Sequence, residues 1–318
     1  MKFLTLSTLI CILSLFYGVS SALALTASPV KIEVQGDPGQ TLRGEIELLN
    51  EQDDQKILFS SFENFEPAGD TGSPRFIGAK DGLATWLQTE PSVTIDPGKK
   101  ARIPYSITIP ANAEPGGYFA AIFFGAQDPK TQQGGEVSIG GKLGVLLLLR
   151  VSGDIVENAG LSLFQIEKGA RLVSSLPISF TYTFSNSGGD RVVPLGDIKI
   201  KNTFGLLTTS IPANINEGSV LPNSSRKFHS TWGEVSTSTT TMSFFQTAKK
   251  QFENFHFGVY SANISVVYGS TNQVASDTFY FLLIPWQLLS LCIILCILIY
   301  IGLRKYNAWI ISKSKSTP

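Results

Sequence analysis

The stretch DPGKKARIPYSITIP, residues 96–110, decides the fold class of this chain. It opens with a Pro-Gly turn, and from Ile103 to Ile109 every second residue carries a large apolar side chain. Strict alternation is typical of a strand with one buried face, because successive side chains of a strand point to opposite sides. Pro110 ends the pattern, since proline cannot donate to a ladder of hydrogen bonds. The stretch therefore predicts a turn followed by a half-buried β-strand.

Comparable segments recur along most of the chain. Alternating or continuous apolar runs, separated by Gly, Pro, Asn or Asp, occur at Val30–Val34, Ile46–Leu48, Ile57–Phe65, Tyr118–Phe124, Leu143–Val151, Leu161–Phe164, Ile178–Phe184, Ile198–Ile200, Lys227–Trp232, Tyr260–Tyr268 and Thr278–Leu282. Short strands separated by turn residues favour an antiparallel sandwich over a parallel α/β sheet. We predict an all-β protein with two tandem immunoglobulin-like β-sandwiches, residues 25–152 and 153–280. A barrel is the alternative architecture.

Two segments interrupt the series of strands. Glu66–Ala84 is rich in Gly, Pro, Asp and Ser, which predicts a long surface loop. Ser236–Thr241 is a run of Ser and Thr, and four apolar residues follow it at roughly helical spacing: Phe244, Ala248, Phe252 and Phe255. This spacing predicts a short amphipathic helix over one end of the second sandwich. Its aromatic residues either fill the core of that domain or bind a partner.

An apolar run from Leu282 to Leu303 precedes a short basic tail. About 22 helical residues extend roughly 33 Å, enough to cross the hydrocarbon core of a bilayer. We predict one transmembrane helix, residues 281–303, followed by a tail, residues 304–318. Because every charge in the tail is positive, we expect it in the cytoplasm; its basic residues are Arg304, Lys305, Lys313 and Lys315.

The N-terminus has the pattern of a secretory signal peptide. Lys2 precedes an apolar stretch from Phe3 to Phe16, and Ala22-Leu23-Ala24 matches a small-x-small cleavage site. We predict a signal peptide over residues 1–24, with an uncleaved N-terminal anchor as the alternative. The expected product is a single-pass protein of the cell membrane whose N-terminal part is extracytoplasmic.

Charge and cysteine content indicate a bacterial envelope protein. The chain has 25 basic and 25 acidic side chains, but Lys2 and the four tail residues leave only 20 basic ones outside, a net charge of −5. A mildly acidic outer part gives no electrostatic basis for binding nucleic acid. The cysteines lie only in the two hydrophobic terminal segments, at Cys11, Cys292 and Cys296, so the exported part has no disulfide.

The sequence offers little for catalysis. Its two histidines, His229 and His256, stand far apart without cysteines or clustered carboxylates at metal-ligand spacing. No nucleophile motif of the Gly-x-Ser-x-Gly or Ser-x-x-Lys type occurs in the predicted mature outer part. Three acidic residues after a strand suggest a solvated turn or a weak calcium site: Glu51, Asp53 and Asp54. We predict a protein that is not an enzyme and has no cofactor or resident metal, with a hydrolase using an unrecognised carboxylate pair as an alternative.

Three aromatic residues are the candidates for ligand contact. Trp86 follows the predicted long loop, Tyr118 follows a Pro-Gly-Gly turn, and Trp232 ends a predicted strand. Trp and Tyr combine a flat apolar face with a polar atom and are common where proteins contact glycans or other proteins. They are equally common inside sandwiches, so both interpretations stay open.

The turn and strand motifs, taken in order, resemble the WxL-interacting cell-surface protein family. The first domain is similar to its N-terminal peptidoglycan-binding domain at Pro38-Gly39-Gln40, Gly44–Asn50, Pro97-Gly98-Lys99, Ile109-Pro110 and Gly116-Gly117-Tyr118. The second is similar to its C-terminal domain at Asn186, Pro194-Leu195-Gly196, Ile198-Lys199-Ile200 and Gly258-Val259-Tyr260. The resemblance implies a membrane-anchored protein that binds cell-wall peptidoglycan through the first domain and a surface protein through the second. The alternative is a structural spacer or assembly subunit of an envelope complex without a ligand of its own.

Overall fold

The structure is a computed structural model that describes residues 25–127, 141–234 and 243–314. The predicted signal peptide and the Ser236–Thr241 run lie outside the described residues. The chain divides into two compact units. The first contains the described residues up to Phe65 and Phe76–Gly153, and the second contains Glu66–Arg75 and the described residues from Asp154 onward.

Ten strands and one short helix form the described part of the first domain. They are β1 (Leu25–Ser28), β2 (Lys31–Gly36), β3 (Thr41–Asn50), β4 (Lys56–Ala68), β5 (Ser73–Gly78), α1 (Leu83–Trp86), β6 (Leu87–Thr89), β7 (Ser92–Ile95), β8 (Lys100–Thr108), β9 (Gly116–Gly125) and β10 (Lys142–Val151). One sheet has the order β1-β3-β8-β6, and the other has the order β2-β10-β9-β4-β5 with β7 beside β4. The strand predicted at residues 103–109 corresponds to β8.

The second domain has the same arrangement in fewer strands. Its elements are β11 (Ala159–Ile166), a 3-10 turn (Glu167–Gly169), β12 (Leu172–Val173), β13 (Ile178–Asn186), β14 (Leu195–Lys201), β15 (Leu207–Pro212), β16 (Ser224–Trp232), α2 (Phe244–Glu253), β17 (Gly258–Tyr268) and β18 (Gln273–Leu283). Its sheets have the orders β11-β13-β16 and β12-β18-β17-β14-β15.

The strand pairings define both domains as immunoglobulin-like sandwiches. In each domain the first strand is split, so that its first half joins one sheet and its second half pairs in parallel with the last strand of the domain: β2 with β10, and β12 with β18. In the four-stranded sheet of the first domain, β1, β3, β8 and β6 correspond to strands A, B, E and D of an immunoglobulin domain, in that order. The predicted fold class is confirmed.

The two cores contain different kinds of side chain. The first is mainly aliphatic, because β3 and β8 alternate inward Ile46, Leu48, Ile103 and Ile107 with outward polar residues. The second is richer in aromatic residues, which supply nine of the twenty buried hydrophobic side chains in its described part, and there the Tyr182 ring stacks on Phe228 at 4.9 Å between centroids. The alternation that the sequence shows is thus the alternation between core and solvent.

Tyr182 carries an unpaired polar atom in the second core. Its side chain is 1% exposed, and its hydroxyl group has no hydrogen-bond partner among the described residues. Burial raises the pKa of this phenol well above its ordinary value, and the nearby Arg226 partly opposes the shift. Burying a hydroxyl group without a hydrogen bond costs about 1–3 kcal/mol.

Tyr182→Phe should therefore stabilise the second domain by about 1 kcal/mol, because it removes the hydroxyl group and keeps the ring stacking. The measurement is urea-dependent hydrogen exchange of the β17 amides in the full chain, which reports unfolding of this domain. Tyr280→Phe, at a side chain that is 63% exposed, is the control and should leave the free energy of unfolding unchanged. A loss of stability in Tyr182→Phe would show that the hydroxyl group is satisfied.

The predicted loop of residues 66–84 is wrong. This segment contains the end of β4, the strand β5 and the first half of α1. Aromatic contacts explain the strand pairing, because the ring of Phe76 on β5 lies 6.1 Å from that of Phe65 and 4.8 Å from that of Phe123. The turn residues that suggested a loop occupy the hairpin tip, where Gly69 and Gly72 have positive φ.

The predicted amphipathic helix exists, but its aromatic residues do not fill the core. Helix α2 begins after Ser243, whose hydroxyl group accepts a hydrogen bond from the Gln246 backbone while the Gln246 side chain accepts one from the Ser243 backbone. Its buried residues are Ala248 and Gln251. The exposed fractions of Phe244, Phe245, Phe252 and Phe255 are 39%, 70%, 72% and 57%.

One long apolar helix, α3 (Trp286–Ser314), follows the second domain. Its stretch Trp286–Ile311 is long and apolar enough to cross a membrane, and none of its most apolar part is buried within the protein. It begins five residues after the predicted start of the span, because Phe281 and Leu283 complete β18 and are buried in the core. Its 26 residues extend about 39 Å.

Candidate functional site

Two of the three predicted contact residues lie together in the first domain. The rings of Trp86 and Tyr118 are 4.6 Å apart, and both pack half-buried against the aliphatic core. The Tyr118 hydroxyl group donates to the Glu114 carbonyl oxygen at 3.0 Å. Burial, more than the charge of Glu114, raises the pKa of this phenol. The pair packs as part of the domain, and its role in ligand contact stays a prediction.

Trp232 lies apart from this pair, in the core of the second domain. Its side chain is 6% exposed and is perpendicular to the His256 ring at 4.9 Å. It also contacts Tyr260, with centroids 5.7 Å apart. These contacts agree with the core interpretation of Trp232.

The first domain has an open groove of about 670 Å³ on its surface. It is lined by Arg43, Gly44, Glu45, Gln88, Thr89, Glu90, Pro104, Tyr105 and Ser106. Three adjacent strands of one sheet supply all of them except Glu90, which follows the third: β3, β8 and the short edge strand β6. We call this surface the β3-β8-β6 groove.

Strand register brings the polar residues of the groove into rows. Arg43 on β3 pairs with Ser106 on β8, which pairs with Gln88 on β6. Glu45 pairs with Pro104 in the next row on the same face. Because strands lie about 4.8 Å apart, the first row extends across roughly 10 Å. The guanidinium group of Arg43, the hydroxyl group of Ser106 and the amide of Gln88 therefore share one row. The Glu45 carboxylate lies in the next row.

The inward residues hold these rows in place. Gly44 is opposite Tyr105, and a side chain at Gly44 would collide with the Tyr105 ring, which is 7% exposed. Burial raises the pKa of the Tyr105 phenol. At the edge, the Thr89 hydroxyl group donates to the Pro104 carbonyl oxygen at 2.7 Å and fixes β6 to β8. The groove thus has a neutral, rigid floor.

Sequence reasoning missed this groove. Arg43, Glu45 and Ser106 occupy the outward positions of ordinary alternating strands, as any solvated face would. Gly44 is the one available signal, because a glycine inside a strand often marks a close approach of other atoms. The glycine does not reveal which strand lies opposite.

The described residues assemble no metal centre. No group of three or more His, Cys, Asp or Glu side chains there could hold a metal ion. Of the suggested calcium ligands, Asp54 pairs instead with the Lys56 ammonium group at 2.8 Å. That hydrogen bond lowers the pKa of Asp54, as the bond from Lys100 lowers the pKa of Glu47.

The edge strands differ in how well they resist pairing with another chain. Strand β5 contains Pro74 and Arg75, and strand β16 contains Arg226 and Lys227, residues that discourage edge-to-edge pairing. Strand β15, with the sequence LTTSIP, has no charge and only a terminal proline. It is last in its sheet order, and its pairing with β14 leaves its other side as an uncharged edge. The edge strand β11 also lacks charge and proline, but a β-bulge between Leu161 and Leu163 interrupts it.

No protein-family model matches this sequence, and no curated protein matches it. Among solved structures, the class 5 fimbrial chaperone CfaA is similar at a TM-score of 0.39 and 11% identity, over 81% of this chain and 99% of that one. The E. coli chaperone DraB has a TM-score of 0.35 and 10% identity, over 82% and 97% of the two chains. The Pseudomonas aeruginosa chaperone CupB2 has 0.34 and 10%, over 81% and 100%.

Proposed function

We propose that this chain is a membrane-anchored envelope protein that binds the cell wall without catalysis. Helix α3 would cross the membrane, with the basic residues that follow Leu303 in the cytoplasm. The two sandwiches would then stand on the outer side. The observation that carries the proposal is the β3-β8-β6 groove of the first domain, which is open, rigid and lined by both charges.

The chemistry of the groove suits peptidoglycan. Its stem peptides carry carboxylates and amines, and its glycan carries hydroxyl and acetamido groups. Arg43 can pair with a carboxylate, Glu45 and Glu90 can accept hydrogen bonds from an amine, and Gln88 can bond either way with an amide or a hydroxyl group. An open groove also admits a polymer, whereas a closed cavity admits only its end.

The second domain would take a surface protein. Strand β15 supports this part of the proposal, because an uncharged edge can accept a strand from another chain through backbone hydrogen bonds. This contact requires no binding residue with special chemistry. The two domains would thus connect a partner protein to the wall.

The test is co-sedimentation of the full chain in non-ionic detergent with isolated peptidoglycan sacculi. Replacing Arg43 and Glu45 by alanine should weaken binding by about tenfold or more, since the two charged contacts together contribute at least about 1.4 kcal/mol. The charge-matched control is K31A with E33A, because Lys31 and Glu33 form an exposed pair on β2 in the opposite sheet. We expect the control to bind like the unmodified chain.

Two outcomes of the co-sedimentation experiment would contradict different parts of the proposal. Equal binding by the groove variant and the control would exclude the groove as the wall site. An unmodified chain that stays in the supernatant would overturn wall binding altogether. It would then favour a structural spacer, or a protein that acts only through a partner such as one bound at β15.

A further inference from the structure

Large exposed apolar side chains gather in three segments of the second domain. The segments are the turn between β14 and β15, the helix α2, and the residues just before and at the start of β17. The side chains are those of Phe204, Leu206, Leu207, Phe245, Phe252, Phe255, Phe257 and Val259, with exposed fractions from 48% to 85%. We call these residues the apolar base.

The sheet register places these segments at one end of the domain. Gly258, at the start of β17, pairs with Leu283, the last residue of β18. The end of β14 lies at the same level, because Lys201 pairs with Ser261. In the turn that follows, the Thr203 hydroxyl group donates to the Val259 carbonyl oxygen and accepts from its backbone N–H, at 2.9 and 3.1 Å. This end of the domain is also where α3 starts.

Helix α2 is fixed directly to the first turn of α3. The buried Gln251 amide donates to the Ser174 carbonyl oxygen at 2.9 Å and to the Gln287 side chain at 2.6 Å. Its oxygen accepts from the Leu288 backbone N–H at 2.9 Å, one of the N–H groups that the start of a helix leaves unpaired. The rings of Phe244 and Trp286 are 5.8 Å apart. The position of α2 relative to α3 is therefore set by the protein.

We propose that the apolar base inserts into the outer interface of the lipid bilayer. This inference rests on the proposed function, in which α3 spans the membrane. If α3 enters the bilayer near Trp286, the apolar base lies at the depth of the headgroups, since its segments are at the end of the domain where α3 starts. Aromatic and other apolar side chains are stabilised at this depth, with a tryptophan at the start of the span as an additional anchor.

Charge favours lipid over a second protein as the occupant. Phe245, Lys249 and Phe252 stand four and three residues apart, on one exposed face of α2. The Lys249 side chain is 77% exposed between the two rings, and its ammonium group lies 3.8 Å from the Glu253 carboxylate, an exposed ion pair too weak to fix it there. Lysine is depleted from the centres of protein interfaces, whereas helices that lie on membranes combine it with phenylalanine and extend its ammonium group to the phosphates.

The test measures the depth of spin labels in the full chain, with one chain per lipid nanodisc. The cysteines are replaced by serine, and single labels are placed through Phe204→Cys, Phe252→Cys or the control Val274→Cys. Val274 is 65% exposed, but it stands nine residues before Leu283 on β18, about 30 Å from the base. Accessibility to oxygen reports lipid, and accessibility to a water-soluble nickel chelate reports solvent.

We expect the labels at 204 and 252 to lie about 5–10 Å into the interface, and the label at 274 to be aqueous. Replacing Phe245 and Phe257 by serine should shift the label at 204 toward water. If the chain incorporates into nanodiscs but the labels at 204 and 252 are aqueous, insertion of the apolar base is contradicted and the membrane span is not. Labels shielded from both reagents would overturn insertion in favour of a protein contact. A chain that does not incorporate would overturn the membrane span itself.

Discussion

Gly196→Ala should lower the free energy of unfolding of the second domain by about 3 kcal/mol. Gly196 lies on β14 opposite Val266 of β17, and β17 is the central strand of a five-stranded sheet. A Cβ atom there would overlap the Ser265 carbonyl oxygen and lie 2.9 Å from the Val266 Cα. Both are backbone atoms of a strand held on its other side by β18, so no side-chain rotation can relieve the collision.

The measurement for Gly196→Ala is urea-dependent hydrogen exchange of the β17 amides in the full chain. Gly160→Ala is the matched control, because Gly160 is also a strand residue of this domain and a Cβ atom there would meet no other atom within 4 Å. We expect the control to be neutral or slightly stabilising, since alanine restricts the unfolded chain more than glycine does. Equal stability of the two variants would show that β14 and β17 can separate at little cost.

The sequence predicts the inner strands well because their alternation is produced by burial. Strands β8 and β17 bury every second residue, and their periodicity is visible in the chain. Strand β15 has no such pattern: its residues are exposed or half-buried Thr, Ser, Leu and Ile at the edge of a sheet. Strand β5 is also exposed along most of its length. An edge strand is defined by its neighbour in space, which periodicity does not report.

The β3-β8-β6 groove could not be predicted for a related reason. Arg43 and Gln88 are 45 positions apart, and only the pairing of both β3 and β6 with β8 places them in one row. A strand register shifted by one residue would turn Arg43 toward the core. The residue types are visible in the sequence, whereas their proximity is a property of the register.

The aromatic residues of α2 show the limit of helical spacing as evidence. Phe244 and Phe252 are eight residues apart, which turns them about 80° from one another around the helix. The buried face instead passes through Ala248 and Gln251, a polar residue that spacing arguments treat as solvent-facing. Gln251 is buried because Ser174, Gln287 and Leu288 satisfy its amide, and these partners lie far away in sequence.

Asn186→Asp should destabilise the second domain by about 3–4 kcal/mol at neutral pH. Asn186 is the last residue of β13 and is 2% exposed. Its Nδ2 donates to the carbonyl oxygens of Asp190 and Val220 at 2.8 and 2.9 Å, and its Oδ1 accepts from the Gly188 backbone N–H at 2.9 Å. A carboxylate can still accept the hydrogen bond from the Gly188 backbone N–H. It has no proton to donate to the carbonyl oxygens of Asp190 and Val220.

Asn50 makes the same set of hydrogen bonds in the first domain as Asn186 makes in the second. It ends β3, the equivalent strand of the first domain, and is fully buried. Its Nδ2 donates to the carbonyl oxygens of Asp54 and Ile95 at 2.8 and 3.0 Å, and its Oδ1 accepts from the Gln52 backbone N–H at 3.1 Å. In each domain one amide closes a four-residue turn and joins it to another segment, so the cost of its loss should be similar.

The loss in Asn186→Asp should also depend on pH. Burial among carbonyl oxygens favours the protonated acid, so the pKa of the new carboxyl group in the folded state should lie above its unfolded value of about 3.9. A raised folded pKa gives stability that is complete below pH ~4 and is lost as the pH rises through the folded value. Hydrogen exchange of β17, referenced to the unmodified chain, should therefore show a smaller loss in the free energy of unfolding near pH 4 than at pH 7.

Asn263→Asp is the control for this prediction. The Nδ2 of Asn263 has one exposed partner, the Thr278 hydroxyl group, so the substitution should cost at most about 1 kcal/mol. A deficit in Asn186→Asp that stayed constant from pH 7 to pH 4 would show that water, and not the two carbonyl oxygens, surrounds the side chain.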